Sequence, residues 1–252
     1  MKKVRNIIAT LALTLFGMNT TNAEVIELGL LLDGSGSLGQ NGWNSQVEAY
    51  QNVFNDDFIT KMLDPNDELY VTVYRFDSRV TRAIDMTHID SNTAAGQFGD
   101  LIANIGYNGG LTSTGSAIYH ATEYLRGNST VESDRMVIDI STDGVPTNGG
   151  RSDGMSNQEY ALYNAERAQS YGIDVNVIGV GNVDQQFLGD LAVAGGGFSI
   201  HSSGFSEFET HLSEKLYREI NSATPEPSSY ALMALGILGL VILKKKNIKQ
   251  AA

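Results

Sequence analysis

Apolar positions recur along the central part of the chain with two periods, one typical of strands and the other typical of helices. Runs rich in apolar, β-branched and aromatic residues predict six strands, at 25–32, 69–76, 79–84, 136–140, 173–180 and 198–201. The first of these runs ends directly at Asp33, as a buried strand that opens into a polar turn would.

The segments between the strands have apolar residues spaced three and four positions apart, which predicts amphipathic helices. The first helix has its stripe at Trp43, Val47, Tyr50 and Phe54, and the last at Phe208, Leu212, Leu216 and Ile220. Further helices are predicted around 94–102, 115–125 and 184–191.

Two short sequence signals mark the ends of elements in the later part of the chain. Ser156 with Glu159 three residues later is a capping box, which predicts a helix that begins there and stops at Gly172. The run Gly195-Gly196-Gly197 predicts a turn before the last strand.

Strands that alternate with helices predict an α/β fold. We expect a doubly wound, mostly parallel six-stranded sheet with helices on both faces, similar to the Rossmann fold, and a separate hydrophobic helix near the C-terminus. In the strand order 3-2-1-4-5-6, the first and fourth strands are neighbours at the switch point where such sheets bind ligands.

The N-terminal segment 1–23 has the three parts of a secretory signal peptide. Lys2, Lys3 and Arg5 precede an apolar stretch at 7–18, and Thr21-Asn22-Ala23 supplies the small residues of a cleavage site. We therefore expect the mature chain to begin after Ala23 and a domain to occupy 24–221.

The C-terminal segment has the composition of a membrane-directed signal. A linker at 222–229 contains Pro225-Glu226-Pro227, an apolar run at 230–243 predicts a transmembrane sorting helix, and the tail at 244–252 has four lysines. Fourteen residues of helix span about 21 Å, which is short for a bilayer, and the basic tail would stay on the cytoplasmic side.

Charge and cysteine content exclude several classes of function. Residues 24–224 have 10 Lys and Arg against 28 Asp and Glu, a net charge of −18, which disfavours nucleic acid as a partner and suits divalent cations. The chain has no cysteine, so disulfides, zinc–thiolate sites and thiol nucleophiles are excluded.

Three segments place oxygen ligands at the carboxyl end of the predicted sheet. They are Asp33-Gly34-Ser35-Gly36-Ser37 after the first strand, the run at 109–115 that contains Thr112, and Thr142-Asp143-Gly144 after the fourth strand. An all-oxygen set favours Mg²⁺, Mn²⁺ or Ca²⁺ over zinc or copper. The candidate metal ligands are Asp33, Ser35, Ser37, Thr112 and Asp143.

These residues resemble the metal-ion-dependent adhesion site (MIDAS) of von Willebrand factor A (VWA) and integrin I domains, in which DxSxS is followed by a distant Thr and a distant Asp. The resemblance covers about residues 24–221. It implies that Ser35 and Ser37 bind the metal directly, that Thr112 binds directly or through water, and that Asp33 and Asp143 act largely through water.

Pro-Glu-Pro, the apolar helix and the basic tail together resemble the PEP-CTERM sorting signal of Gram-negative bacteria. The resemblance implies that an exosortase system processes the tail. The protein would be anchored in the inner membrane before processing and would then reach the cell surface or the extracellular matrix.

The resemblance to MIDAS domains implies recognition rather than catalysis. Neutral hydroxyl ligands leave the charge of a cation poorly compensated, so it binds one further oxygen, typically a carboxylate of a protein or an anionic polysaccharide. We expect no enzyme activity, because no general base is evident within reach of a metal-bound water.

Two alternatives remain at this point. The metal could only stabilise the loops of a structural matrix protein. Alternatively, Gly34-Ser35-Gly36-Ser37-Leu38-Gly39 satisfies G-x-G-x-x-G, which indicates a dinucleotide-binding oxidoreductase with Asp56 or Asp57 on the ribose. Asp77 and the four histidines are interpreted as solvated or structural residues outside any site.

Overall fold

The computed structural model describes residues 23–128, 132–148 and 154–221. The predicted linker, sorting helix and basic tail lie outside these residues, as does the predicted signal peptide except for Ala23. Within the described ranges, no helix is both long enough and apolar enough to cross a bilayer.

Six strands form one sheet in the order β3-β2-β1-β4-β5-β6, which confirms the predicted doubly wound arrangement. All neighbouring strands are parallel except β2 and β3, which are antiparallel. The strands are β1 (Val25–Asp33), β2 (Glu68–Phe76), β3 (Val80–His88), β4 (Arg135–Thr142), β5 (Ile173–Val180) and β6 (Gly196–Ser202).

Helices cover both faces of the sheet and enclose a separate apolar core on each side. One core contains the buried stripes of the first and last helices, and the other contains those of the helices after Thr112. The helices are α1 (Gly39–Asn55), α2 (Phe58–Met62), α3 (Asn92–Ala103), α4 (Thr114–Asn128), α5 (Asn157–Gln169), α6 (Gln185–Ala194) and α7 (Phe205–Asn221).

The capping box predicted at the start of α5 is present, with Ser156 and Glu159 bonding each other's backbone N–H groups. Two other predictions were incomplete or wrong. β3 continues to His88, beyond the predicted end at residue 84. The prediction was too short because exposed charged residues on this edge strand, such as Arg82 and Asp85, obscure the alternation of apolar and polar positions. Gly196 and Gly197 begin β6 rather than forming a turn, and a Cβ on Gly197 would lie 2.3 Å from Asn176 Oδ1 of β5.

A cluster of charged side chains interrupts the core between the sheet and α7. Lys215 is fully buried, and its Nζ lies 2.8 Å from Asp139 Oδ2 on β4 and 2.6 Å from Glu219 Oε1. Tyr50 of α1 donates to the other oxygen of Asp139 at 3.4 Å. Burial and the nearby Asp139 raise the pKa of Glu219 well above its ordinary value, and the charge and hydrogen bond of Lys215 oppose this shift.

The contact between α4 and α5 depends on a glycine, which gives a testable prediction. A Cβ on Gly115 would lie 2.7 Å from the Tyr160 ring and 3.0 Å from the Ala161 backbone nitrogen. We expect Gly115→Ala to lower the free energy of unfolding by about 1–3 kcal/mol, as measured in urea, because the helices must move apart.

Gly127 provides the matched control, because it lies in the same helix and a Cβ there would meet nothing within 4 Å. Gly127→Ala should leave stability unchanged or raise it by up to about 1 kcal/mol through helix propensity. Equal effects of the two substitutions would contradict the close packing at Gly115.

Candidate metal site

The candidate site forms where the central strands β1 and β4 end side by side. The two strands are paired in parallel, with Leu32 opposite Ser141, so Asp33 and Thr142 are adjacent although they are 109 positions apart. Thr142 Oγ1 donates to Asp33 Oδ2 at 2.6 Å, which ties the two strand ends together.

The loop after β1 folds back over Asp33. Ser35 N donates to Asp33 Oδ1 at 2.8 Å, and Gly34 N donates to the carbonyl of Phe76 at the end of β2. Asp33 and Ser35 are consequently buried, whereas Ser37 is exposed at the surface of the loop.

A row of hydroxyl and carboxylate oxygens runs across the top of this loop. Ser35 Oγ and Ser37 Oγ are 3.0 Å apart, and Ser37 Oγ donates to Asp143 Oδ1 at 2.7 Å. The structure therefore brings the predicted residues Asp33, Ser35, Ser37 and Asp143 into one hydrogen-bonded group.

Thr112 lies on a loop that contacts both the loop after β1 and the loop after β4. Gly36 N donates to the Gly110 carbonyl at 2.8 Å, and Thr147 and Asn148, in the loop after β4, donate their backbone N–H groups to the Thr112 carbonyl. Gly110 has φ of +107°, a conformation that favours glycine and lets the chain turn here. Thr112 is 4% exposed, and no hydrogen bond of its side chain joins the other four residues within the described chain.

A supporting residue beneath the loop was missed by sequence reasoning. Gln46 of α1 is 1% exposed, donates to the Asp33 carbonyl at 3.0 Å and accepts from Ser141 Oγ at 2.9 Å. Its position beside Val47 in the apolar stripe of α1 was the available signal, because a polar side chain there must find a buried partner.

Tyr107 also contacts the backbone of the loop. Its hydroxyl donates to the Ser35 carbonyl at 3.2 Å, and its ring lies beside Trp43 with 6.2 Å between centroids. Together with Gln46, it fixes the backbone of the loop from two sides.

Burial raises the pKa values of both aspartates. The pKa of Asp33 rises to about 6, because desolvation and the nearby Asp143 outweigh the hydrogen bonds from Thr142 and Ser35. The pKa of Asp143 is raised by burial as well, against the hydrogen bond from Ser37. A cation would stabilise the ionised form of both groups.

The oxygen set fits a hard divalent cation. Two oxygens that occupy adjacent corners of an octahedron with bonds of about 2.1 Å lie about 3.0 Å apart, which is close to the spacings along the Ser35–Ser37–Asp143 row. Among the described residues, no three His, Cys, Asp or Glu side chains gather as metal ligands. The five candidates are instead two carboxylates and three hydroxyls.

The interpretation of Asp77 as a solvated charge is wrong. This residue follows β2 at the same edge of the sheet and is 4% exposed. Its Oδ2 lies 3.2 Å from Arg75 Nε, and its Oδ1 accepts from Arg79 N. The carboxylate therefore holds the loop after β2 in place, and the nearby guanidinium of Arg75 reduces the cost of burying its charge.

The dinucleotide alternative lacks its acidic residue at the required place. α1 begins beside the loop after β1 and is 17 residues long, about 25 Å of helix. Asp56 and Asp57 follow the last turn of α1, near the amino ends of the parallel strands. Neither residue can therefore reach a ribose at the glycine-rich loop.

Comparison with known proteins identifies two regions of the chain. The profile of a family described as "Protein of unknown function (DUF1194)" matches residues 24–224, and a PEP-CTERM protein-sorting motif matches residues 223–246. The motif indicates an exported protein of a Gram-negative bacterium with a membrane-associated sorting step. No curated protein matches the sequence.

Solved structures with the same fold are distant in sequence. A von Willebrand factor type A protein from Catenulispora acidiphila has a TM-score of 0.55 at 16% identity, over 79% of this chain and 43% of that one. Manganese-loaded TRAP from Plasmodium vivax has 0.54 at 21%, over 75% and 72%. Proximal thread matrix protein 1 from the mussel byssus, with a zinc-occupied MIDAS motif, has 0.56 at 17%, over 78% and 46%. The domain thus has the VWA fold.

Proposed function

The chain belongs to the DUF1194 family, and we propose that it is a cell-surface or matrix protein whose VWA domain recognises a partner through a divalent cation. The proposal rests on the oxygen row formed by Ser35, Ser37 and Asp143, with neighbouring oxygens 3.0 and 2.7 Å apart at the carboxyl edge of the sheet. Asp33 and Thr112 complete the cation site.

The cation in this proposal is Mg²⁺, with Mn²⁺ or Ca²⁺ as substitutes, and its ligands belong to the protein and to the partner. Ser35, Ser37 and Thr112 would supply neutral oxygens, whereas Asp33 and Asp143 would supply the negative charge. Two carboxylates and hydroxyls are hard ligands that suit such cations. Similar metal-containing structures support a divalent cation in general, since one was loaded with manganese and another has zinc in its MIDAS motif.

Recognition fits this ligand set better than hydrolysis. A site with hydroxyl ligands at the surface leaves a cation electron-poor, and a carboxylate from a protein or an anionic polysaccharide would complete its coordination. A hydrolase would also need a base beside a metal-bound water, and the two aspartates are both engaged by hydrogen bonds from Thr142, Ser35 and Ser37.

Binding of the purified full-length protein to the surface and matrix fraction of the producing cells tests the proposal. We expect binding in Mg²⁺, loss of binding in EDTA, and recovery when Mg²⁺ is restored. Ser37→Ala should weaken binding about tenfold or more, because an exposed ligand oxygen is removed without disturbing the core.

Ser203→Ala is the matched control, because Ser203 is also exposed and hydrogen-bonded, to Glu207, but lies outside the oxygen row. Its binding should equal that of the unmodified protein. Binding that persists equally in EDTA and in Ser37→Ala would overturn metal-mediated recognition and favour a structural matrix protein with a stabilising metal.

A further inference from the structure

A second surface, on the flank of the domain, combines arginines with tyrosine rings. This tyrosine–arginine face comprises Arg82 of β3, Glu123, Tyr124 and Arg126 of α4, Arg167 of α5, and Tyr171 directly after α5. Arg82 lies over the Tyr124 ring at 4.1 Å, and Arg126 lies over the Tyr171 ring at 4.6 Å.

Ion pairs and rings hold these guanidinium groups in fixed orientations. Glu123 bonds Arg126 at 3.3 Å and Arg167 at 2.5 Å, so it links the two helices. The side chains of Arg82 and Arg126 nevertheless remain 38% and 46% exposed. Guanidinium groups that are both oriented and accessible lose little entropy when they bind a planar anion such as a carboxylate.

The charge of this face contrasts with that of the domain. Residues 24–224 have a net charge of −18, yet three of their ten basic residues are gathered here with His120. Their acidic partners are Glu123 and the exposed Asp85, so the face has a local excess of positive charge. An anionic ligand would meet less repulsion here than at other parts of the surface.

A cavity of about 300 Å³ opens into the tyrosine–arginine face between β3 and α4. It is lined by Arg82, His120, Glu123 and Tyr124, together with Tyr74 and Val80. This volume is at the lower end of the range for ligand pockets and suits a single ring-sized group. Arginine donors and a glutamate acceptor in one cavity match a ring that has both a carboxylate and hydroxyl groups.

The surroundings of the cavity favour a saccharide over an extended acidic peptide. The α4 and α5 flanks are helical, so their main-chain groups are already bonded, and only the edge strand β3 could pair with a peptide backbone. Exposed rings are available instead, because Tyr119, Tyr163 and Tyr171 are 38%, 48% and 40% exposed on these helices or just after them. Tyrosine rings pack against the C–H faces of sugars while their hydroxyls bond to water or to sugar hydroxyls.

We infer that the tyrosine–arginine face binds an acidic polysaccharide, with one uronate ring in the cavity and its carboxylate on Arg82. Arg126 and Tyr171 contact the next part of the polymer along α4. This site is separate from the cation site and does not need a metal.

Calorimetric titration of the purified full-length protein with an oligogalacturonate in EDTA tests this inference. EDTA removes any contribution of the cation site. Absence of binding in this titration would therefore not contradict the proposed function, and loss of the cation-dependent binding would not contradict this inference. We expect saturable binding that weakens about tenfold or more in Arg82→Gln and in Arg126→Gln, and that falls as salt is added.

Arg218→Gln is the matched control, because Arg218 lies over the Phe198 ring at 3.7 Å on α7, away from this face. Its affinity should equal that of the unmodified protein, and thermal unfolding should show that all three variants are folded. Absence of binding, equal loss in Arg218→Gln, or equal binding of a neutral glucan would overturn the inference. Equal binding of poly-glutamate would overturn it in favour of an acidic protein ligand.

Discussion

Replacing Lys215 by methionine is expected to lower the free energy of unfolding by about 3–5 kcal/mol, because it leaves buried carboxyl groups without their cation. Lys215 is fully buried between Asp139 and Glu219, at 2.8 and 2.6 Å. Methionine fills much of the same volume, so the loss would report the charge and not a cavity. Urea unfolding at pH 7, followed by circular dichroism, measures the change.

Two further variants separate the charge from the packing. Lys61→Met removes a lysine that is 50% exposed and pairs with Asp56 at the surface, so it should change stability by less than about 1 kcal/mol. Adding Asp139→Asn and Glu219→Gln to Lys215→Met should restore most of the loss, because this cluster then has no buried charge. A triple variant as unstable as Lys215→Met alone would show that packing dominates.

Replacing Asp33 by asparagine is expected to weaken Mg²⁺ binding by about 10- to 100-fold, the range found when residues behind metal ligands are removed. The shape of the site should survive. Asparagine can accept from Ser35 N and donate to Thr142 Oγ1, whose hydroxyl can turn to the Gly144 carbonyl at 3.1 Å.

Thermal unfolding with and without Mg²⁺ measures this effect. At a concentration 100 times the dissociation constant, the unmodified protein should gain about 2.7 kcal/mol, and a variant with 100-fold weaker binding should gain only about 0.4 kcal/mol. Asp190→Ala, on the exposed side of α6, should behave as the unmodified protein. Equal stabilisation of Asp33→Asn by Mg²⁺ would contradict a cation at Asp33.

In EDTA, Asp33→Asn should not lower the free energy of unfolding. Burial raises the pKa of Asp33 from 3.8 to about 6, so its ionised form disfavours the folded state. The stability associated with the protonated group is present below pH 4 and is lost as the pH rises towards 6. At pH 7 the asparagine variant should therefore equal the unmodified protein or exceed it, by up to about 3 kcal/mol.

Periodicity predicts the central strands, and short polar motifs predict the candidate ligands, because both are contained in short stretches of sequence. The run before Asp33 is apolar at most positions, with Glu27 as the charged exception, and DxSxS begins where that run stops. The parallel order of the sheet follows from alternating strands and helices. Each of these features can be recognised without knowledge of distant contacts.

Contacts between distant segments explain what periodicity did not predict. Lys215 and Glu219 are spaced four apart and resemble a surface pair on α7, and only Asp139 on β4 explains why they are buried. Gln46 is similar, since its partners Asp33 and Ser141 belong to two other elements. The tyrosine–arginine face joins β3, α4 and α5, whose sequences show no shared motif.

The central position of β1 has a consequence for export. β1 pairs with β2 on one side and with β4 on the other, so the first strand of the chain needs a neighbour that ends at Thr142. A chain translocated from its N-terminus cannot complete this pairing until more than half of it has crossed, and long-range strand pairing is slow. Asp33 can meet Asp143 only after residue 143 has crossed, so the proposed cation site cannot form at an earlier stage of export.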